Sequence, residues 1–232
     1  MPPAKPRYDP VAAGCLCMYC PLRDKTPVPP KGPPNADFMI IGEAPGFNEE
    51  LKGEPFIGPS GVELDSIFTE LRKRGHNVYR TRTWLTNTIL CRNETPDVIG
   101  TKRYDLPTYL AWIRKQNAQR KKDATEAAKA AGWKKGDPPV QWQPIASPID
   151  CCAPRLWGEI AHFEQVARER GEPNGIAILP VGNHAAEAVT GRAGIMKLRG
   201  SPFLVDVADP RGHLHKEPWQ TGQMGPNGDG SQ

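Results

Sequence analysis

The sequence of 232 residues has no run of about eighteen apolar residues, which excludes an ordinary membrane-spanning helix. Its start, Met1-Pro-Pro-Ala-Lys-Pro6, lacks the apolar stretch of a secretory signal. The two absences predict a protein kept in a reducing cytoplasm, where disulfides are rare. Apolar residues are scarce too, at 38%, whereas Pro (26) and Gly (23) are plentiful, so much of the chain should be loop. No strong charge is present either: the net value of +4 permits nucleic-acid binding without demonstrating it. There is no internal repeat. The length suits one domain, or one domain carrying a large insertion.

In a reducing compartment the six cysteines are better suited to metal ligation or burial than to disulfides. Cys17-Met-Tyr-Cys20 has the two-residue spacing that lets two thiolates reach one metal centre. Cys91 and Cys152 are distant in sequence and could close the set. Four thiolates would suit zinc or an iron–sulfur cluster, and the spacing does not choose between them. Cys15, Cys17 and Cys20 lie in a Pro-rich terminal segment with little core around them, which argues against simple burial.

Along the chain, strand and helix patterns alternate. Asp37-Phe-Met-Ile-Ile41 reads as a buried strand that runs into the turn Gly42-Glu-Ala-Pro-Gly46. A helix is expected from Ser60, which has capping-box spacing to Glu63, with Leu64, Ile67, Phe68 and Leu71 on one face and Gly75 as its stop. A second strand is expected over 83–90, a helix over 156–170, a third strand over 176–181, a short helix over 182–189 and a last strand over 203–207. This order predicts a three-layer α/β/α sandwich with a central, mostly parallel four-stranded sheet. Ligands of such sheets sit at the carboxyl ends of the strands, where Gly42–Gly46 and Asn87 both fall.

Residues 101–150 differ in composition. They hold ten Lys/Arg and five Asp/Glu, a net +5 that leaves the rest of the chain at −1. The stretch 109–131 reads as a polar, Ala-rich helix. We expect a domain over 1–220 with 101–150 as a basic helical insertion, and 221–232 as a disordered tail.

Five blocks occur in one order: Cys17-x-x-Cys20-Pro-Leu22, Gly42-Glu-Ala-Pro-Gly46, Gly53-Glu-Pro-Phe-Ile-Gly58, Thr86-Asn-Thr-Ile-Leu-Cys-Arg92 and Cys152-Ala-Pro-Arg-Leu156. In this the chain resembles the family-four, iron–sulfur uracil-DNA glycosylases, including the type associated with phage and bacterial DNA polymerases. Arg199-Gly200 resembles a late segment of the same family. The resemblance implies an enzyme of base excision repair that hydrolyses the N-glycosidic bond of a flipped-out deoxyuridine. It implies a 4Fe-4S cluster on Cys17, Cys20, Cys91 and Cys152, with Cys15 and Cys151 spare or able to swap with a neighbour. Phe56 would stack on uracil. Asn87 would read N3–H and O4 through its acceptor and donors. Backbone N–H groups of Gly42, Ala44 and Gly46, in the turn that Pro45 stiffens, would line the departing uracil anion. Glu43 would serve the attacking water or the cationic sugar, and Glu49 would lie near the uracil ring. The implied partners are uracil-containing DNA and a DNA polymerase or other replication protein, with no membrane. The implied location is the cytoplasm of a bacterial or phage-infected cell.

Three features depart from the family pattern. Sixty residues separate Cys91 from Cys152, where the family has a short stretch. Leu90 stands where the family usually has Lys. No His-Pro dipeptide follows the last strand; Gly212-His213-Leu-His215-Lys216 occupies that region instead. The family's His contacts uracil, so its loss predicts weakened cleavage unless His213 or His215 takes its place. The alternative reading is a non-catalytic iron–sulfur DNA-binding module of a replication or repair assembly.

Overall fold

The computed structural model describes residues 8–95, 105–172, 175–192 and 194. The expected strand at 203–207, the Arg199-Gly200 block, His213, His215 and the tail at 221–232 lie outside the described residues. Within them the sheet has three strands rather than four: β1 (Phe38–Gly42), β2 (Thr83–Asn87) and β3 (Ala177–Pro180). β1 is central, and both neighbours run parallel to it, Gly42 opposite Asn87 and Ile41 opposite Pro180.

The pleat of β1 sends alternate side chains to opposite faces. Met39 and Ile41 pack with Leu156, Ile160 and Phe163 of α4 (Pro148–Glu169) and Ala185 and Val189 of α5 (Asn183–Thr190). Ile40, with Leu85 of β2, packs on the other face against Leu64 and Phe68 of α2 (Pro59–Lys73). The sheet is therefore covered on both faces. A short helix, α1 (Phe47–Lys52), follows the turn after β1.

Several boundaries differ from the expected ones for local reasons. α2 starts at Pro59, with Gly58 as N-cap, so Ser60 lies inside the helix and does not cap it. Gly75 does take the left-handed conformation (φ +86°) that ends the helix. β2 stops at Asn87 because the chain then turns over the end of β1: Thr88 N–H donates to Gly42 O (2.7 Å) and Ile89 N–H to Glu43 O (3.1 Å). α4 begins at Pro148, well before residue 156. Ser147 caps it through Ile149 N–H, and the helix continues through Pro154.

The helix in the basic segment, α3 (Leu106–Ala130), starts earlier than residue 109 and is not wholly solvated. Asp105 caps it by accepting from Thr108 N–H (2.8 Å). Leu106, Tyr109, Leu110 and Ile113 form an i, i+3, i+4, i+7 stripe that is buried against Leu22, Ile89, Leu90 and the cysteines. Trp112 stacks on Tyr109 at the edge of this stripe, and beyond Ile113 α3 is mostly polar and exposed. Asn117 ties it to the returning chain, donating to Ile145 O and accepting from Ile145 N–H.

Candidate functional site

The carboxyl ends of β1 and β2 bring together three of the predicted residues. A β-carbon on Gly42 would stand 2.3 Å from Asn87 Oδ1 and 3.0 Å from Phe56 Cζ. Glycine at this strand end is what allows a carboxamide and an aromatic ring to converge there. Asn87 and Phe56 are both buried. The Asn87 carboxamide makes no hydrogen bond to the described residues, which leaves its acceptor and two donors for a ligand.

Phe56 is held in an unusual backbone state. Its φ is +55°, a left-handed value that costs energy for a residue with a β-carbon. Arg80 secures it: Nη2 donates to Phe56 O (2.7 Å) and Gly61 O (3.2 Å), while Nε donates to Asp65 (2.8 Å). Gly61 is needed because a β-carbon there would lie 1.9 Å from Phe56 O. The sequence reading missed both Arg80 and Gly61; the spacing of Gly58 and Gly61 behind the Phe56 loop was the only local sign.

The two acidic residues are engaged by backbone amides. Glu49 is buried, with Oε2 accepting from Gly46 N–H (2.6 Å) and Oε1 from Gly58 N–H (3.3 Å). Its carboxylate thus buckles the Gly42–Gly46 turn to the loop that carries Phe56. Glu43 points toward the start of α5: Oε1 accepts from His184 N–H (2.9 Å). A carboxylate suits a helix N-terminus, where unpaired N–H groups carry partial positive charge. A β-carbon on Gly182 would collide with Glu43 (2.5 Å to Cγ), so this approach also depends on a glycine. Ala44 packs toward the cysteine-rich core, and Pro45 lies between it and Gly46 in the same turn.

All six cysteines are free thiols gathered in one region between the N-terminal segment, α4 and the chain after β2. Cys17 begins a short 3-10 turn (Cys17–Tyr19), and Cys151 and Cys152 lie in the first turns of α4. Cys15 Sγ donates to Cys152 Sγ at 4.0 Å. That hydrogen bond, with Arg155 beside it, brings the Cys152 thiol down to about 6. The same contact, followed by burial, pushes Cys15 up. Cys151 is raised chiefly by its hydrogen bond with Cys20. Burial pushes Cys91 up to about 12, and it also raises Cys17.

Among the described residues no three His, Cys, Asp or Glu side chains are grouped to hold a single metal ion. The donor set is nonetheless all sulfur, walled by Leu22, Ile89, Leu90 and Tyr109. Soft thiolates in an apolar pocket suit an iron–sulfur cluster in chemistry. Cys17, Cys20, Cys91 and Cys152 all belong to this gathering, and Cys15 and Cys151 sit beside two of them.

The structure thus sets a buried carboxamide and an aromatic ring together at the strand ends of a parallel α/β fold. A sequence model of the Uracil DNA glycosylase superfamily matches residues 29–223, most of the chain, and the chain belongs to that superfamily. It is similar to the type-4 uracil-DNA glycosylase of Archaeoglobus fulgidus, 40% identical over 78 residues, 33% of this chain and 37% of that protein. It is 37% identical to the type-4 enzyme of Saccharolobus solfataricus over 78 residues, 33% of this chain and 34% of that one. The Pyrobaculum aerophilum enzyme is 37% identical over 86 residues, 35% of this chain and 41% of that protein. The matched stretch thus spans 34–41% of the length of these relatives. No helix among the described residues is long and apolar enough to cross a membrane.

Proposed function

We propose that the chain is a type-4 uracil-DNA glycosylase that hydrolyses the N-glycosidic bond of a deoxyuridine flipped out of DNA. The observation that carries this reading is the convergence of Gly42, Asn87 and Phe56. Phe56 offers a face for stacking. Asn87 accepts from uracil N3–H and donates to O4; cytosine reverses that pattern and is rejected when the carboxamide is held in this one orientation. Glu43, held at the strand turn by His184 N–H, orients the attacking water or stabilises positive charge on the sugar. Glu49 acts on uracil indirectly, by fixing the turn and the Phe56 loop around the ring. Backbone amides of the turn after Gly42, other than Gly46 N–H, which Glu49 takes, face the negative charge that builds on the leaving base.

In the same reading Cys17, Cys20, Cys91 and Cys152 hold a 4Fe-4S cluster. When bound, it ties the N-terminal segment to α4 and the end of β2, coupling metal binding to folding. We further propose a domain over 1–220 in which the basic segment at 101–150 forms a DNA-contacting arm, followed by a tail over 221–232. Its partners would be uracil-containing DNA and a polymerase or other replication protein, in the cytoplasm. Unless His213 or His215 supplies the missing contact, the absent His-Pro slows cleavage.

The test is release of free uracil from a uracil-containing oligonucleotide, read by chromatography, with no release of cytosine or thymine. A second reading, a non-catalytic DNA-binding module, is favoured by the absent His-Pro and by both carboxylates being committed to backbone amides. That module would bind the oligonucleotide and release nothing.

A further inference from the structure

We propose that Arg155 is a positioning residue for Asn87: its guanidinium holds the base-reading end of β2 against α4. This deepens the reading of the site given above and rests on it. Arg155 is almost fully buried, 1% exposed, on the helix that carries Cys151 and Cys152. Nη2 donates to Asn87 O (2.8 Å) and Thr88 O (3.1 Å). Nη1 donates to the Thr86 hydroxyl (2.8 Å) and to Glu159 Oε1 (3.0 Å). Glu159 in turn accepts from Trp84 Nε1 (2.8 Å), so the pair spans β2 from Trp84 to the residue after Asn87.

Two consequences follow from this geometry. β2 pairs with β1 on one side, and on the other it meets Lys31 in a single bridge at Leu85, two residues short of Asn87. Arg155 supplies donors to two successive carbonyls there, and only a planar fork with several N–H groups reaches both and a hydroxyl at once. Arg155 also lies three residues after Cys152 on one helix, so the two share a face. The cysteine region and the main chain that carries Asn87 are thereby joined through a single side chain. A side chain that reads a base by two hydrogen bonds tolerates little displacement, and a shift of about 1 Å costs on the order of 10²-fold in rate.

The experiment compares the whole wild-type protein with Arg155→Lys and Thr86→Val. Three quantities are read: single-turnover cleavage of a uracil oligonucleotide, affinity for an oligonucleotide carrying non-hydrolysable 2′-fluoro-2′-deoxyuridine, and affinity for the same strand with thymidine. Melting and absorbance near about 400 nm report fold and cluster. Arg155→Lys keeps the charge but not the fork. It should lose about 10²-fold in cleavage and lose the preference for the fluorinated uridine strand, while affinity for the thymidine strand stays the same. Thr86→Val removes one partner and should give a smaller loss of the same kind. A merely structural role would lower both affinities together. If Arg155→Lys does not fold, Thr86→Val decides, and wild-type cleavage and preference in that variant overturn the proposal. Folded variants that both match the wild type overturn Arg155 alone. A wild type that neither cleaves nor prefers uracil overturns the site reading and Arg155's role with it.

Discussion

Gly42 and Asn87 face each other across the last register position of β1 and β2, and the Asn87 carboxamide occupies the space a β-carbon on Gly42 would need. Gly42→Ala should therefore displace a side-chain end and the edge of the Phe56 ring, not the backbone. The expected outcome is a folded protein, destabilised by about 1–3 kcal/mol as for overpacking, with cleavage slowed about 10²-fold. Thermal melting and single-turnover rates on a uracil oligonucleotide check both parts.

Glu49 is expected to matter through the loops it joins. Glu49→Gln places an NH2 group against the N–H of Gly46 or Gly58, leaving a buried donor without an acceptor. This should cost about 1–3 kcal/mol in urea unfolding. Unchanged stability with a large rate loss would mean that Glu49 faces the reaction directly.

The cysteine region leads to a metal prediction. Anaerobically purified protein should be brown, with about four irons per chain. Cys152→Ala should lose colour and solubility, because metal binding and folding are coupled. Cys151→Ser should retain both. A colourless, stably folded protein with stoichiometric zinc would rule the cluster out.

Much of this site was legible because its residues lie at strand ends that the pattern itself marks. The apolar run before Gly42 and the polar Asn87 after Leu85 were enough to place them together. β2 was read too long because Ile89 and Leu90 are apolar, yet they fill the cysteine region and not the sheet. α4 was read too short because Pro154 interrupts the helical pattern, although helix geometry persists on both sides of it. The anchoring stripe of α3 begins just before the stretch whose polar composition dominated the reading. Arg80 and Arg155 were missed for a different reason: their acceptors lie 24 and 68 residues away in sequence, and a charged residue carries no sign of a distant carbonyl.

The anchored start of α3 changes how the basic segment should be tested. Deleting all of it would remove Leu106, Tyr109, Leu110 and Ile113 and expose Leu22, Ile89 and Leu90, which they cover. Neutralising exposed lysines is cleaner, so Lys115, Lys122 and Lys129 are each changed to Gln. If the arm lies on DNA, the slope of log affinity against log salt should flatten by up to about 0.9 for each lysine that sits on a phosphate. An unchanged slope would mean that this face of α3 does not touch the backbone.

The most direct test of the account is single-turnover cleavage of a uracil oligonucleotide, followed by alkali, for the wild type beside Asn87→Ala and Asn87→Asp. The account predicts strand breaks at uracil and none at thymine or cytosine, at a rate slowed by the absent His-Pro. It predicts at least about 2 kcal/mol of lost transition-state stabilisation in Asn87→Ala, the scale of removing one donor from such a site. It also predicts relaxed discrimination against cytosine in Asn87→Asp, whose side chain cannot reproduce both amide contacts. No strand breaks with the wild type, or breaks at the same rate in all three proteins, would contradict it.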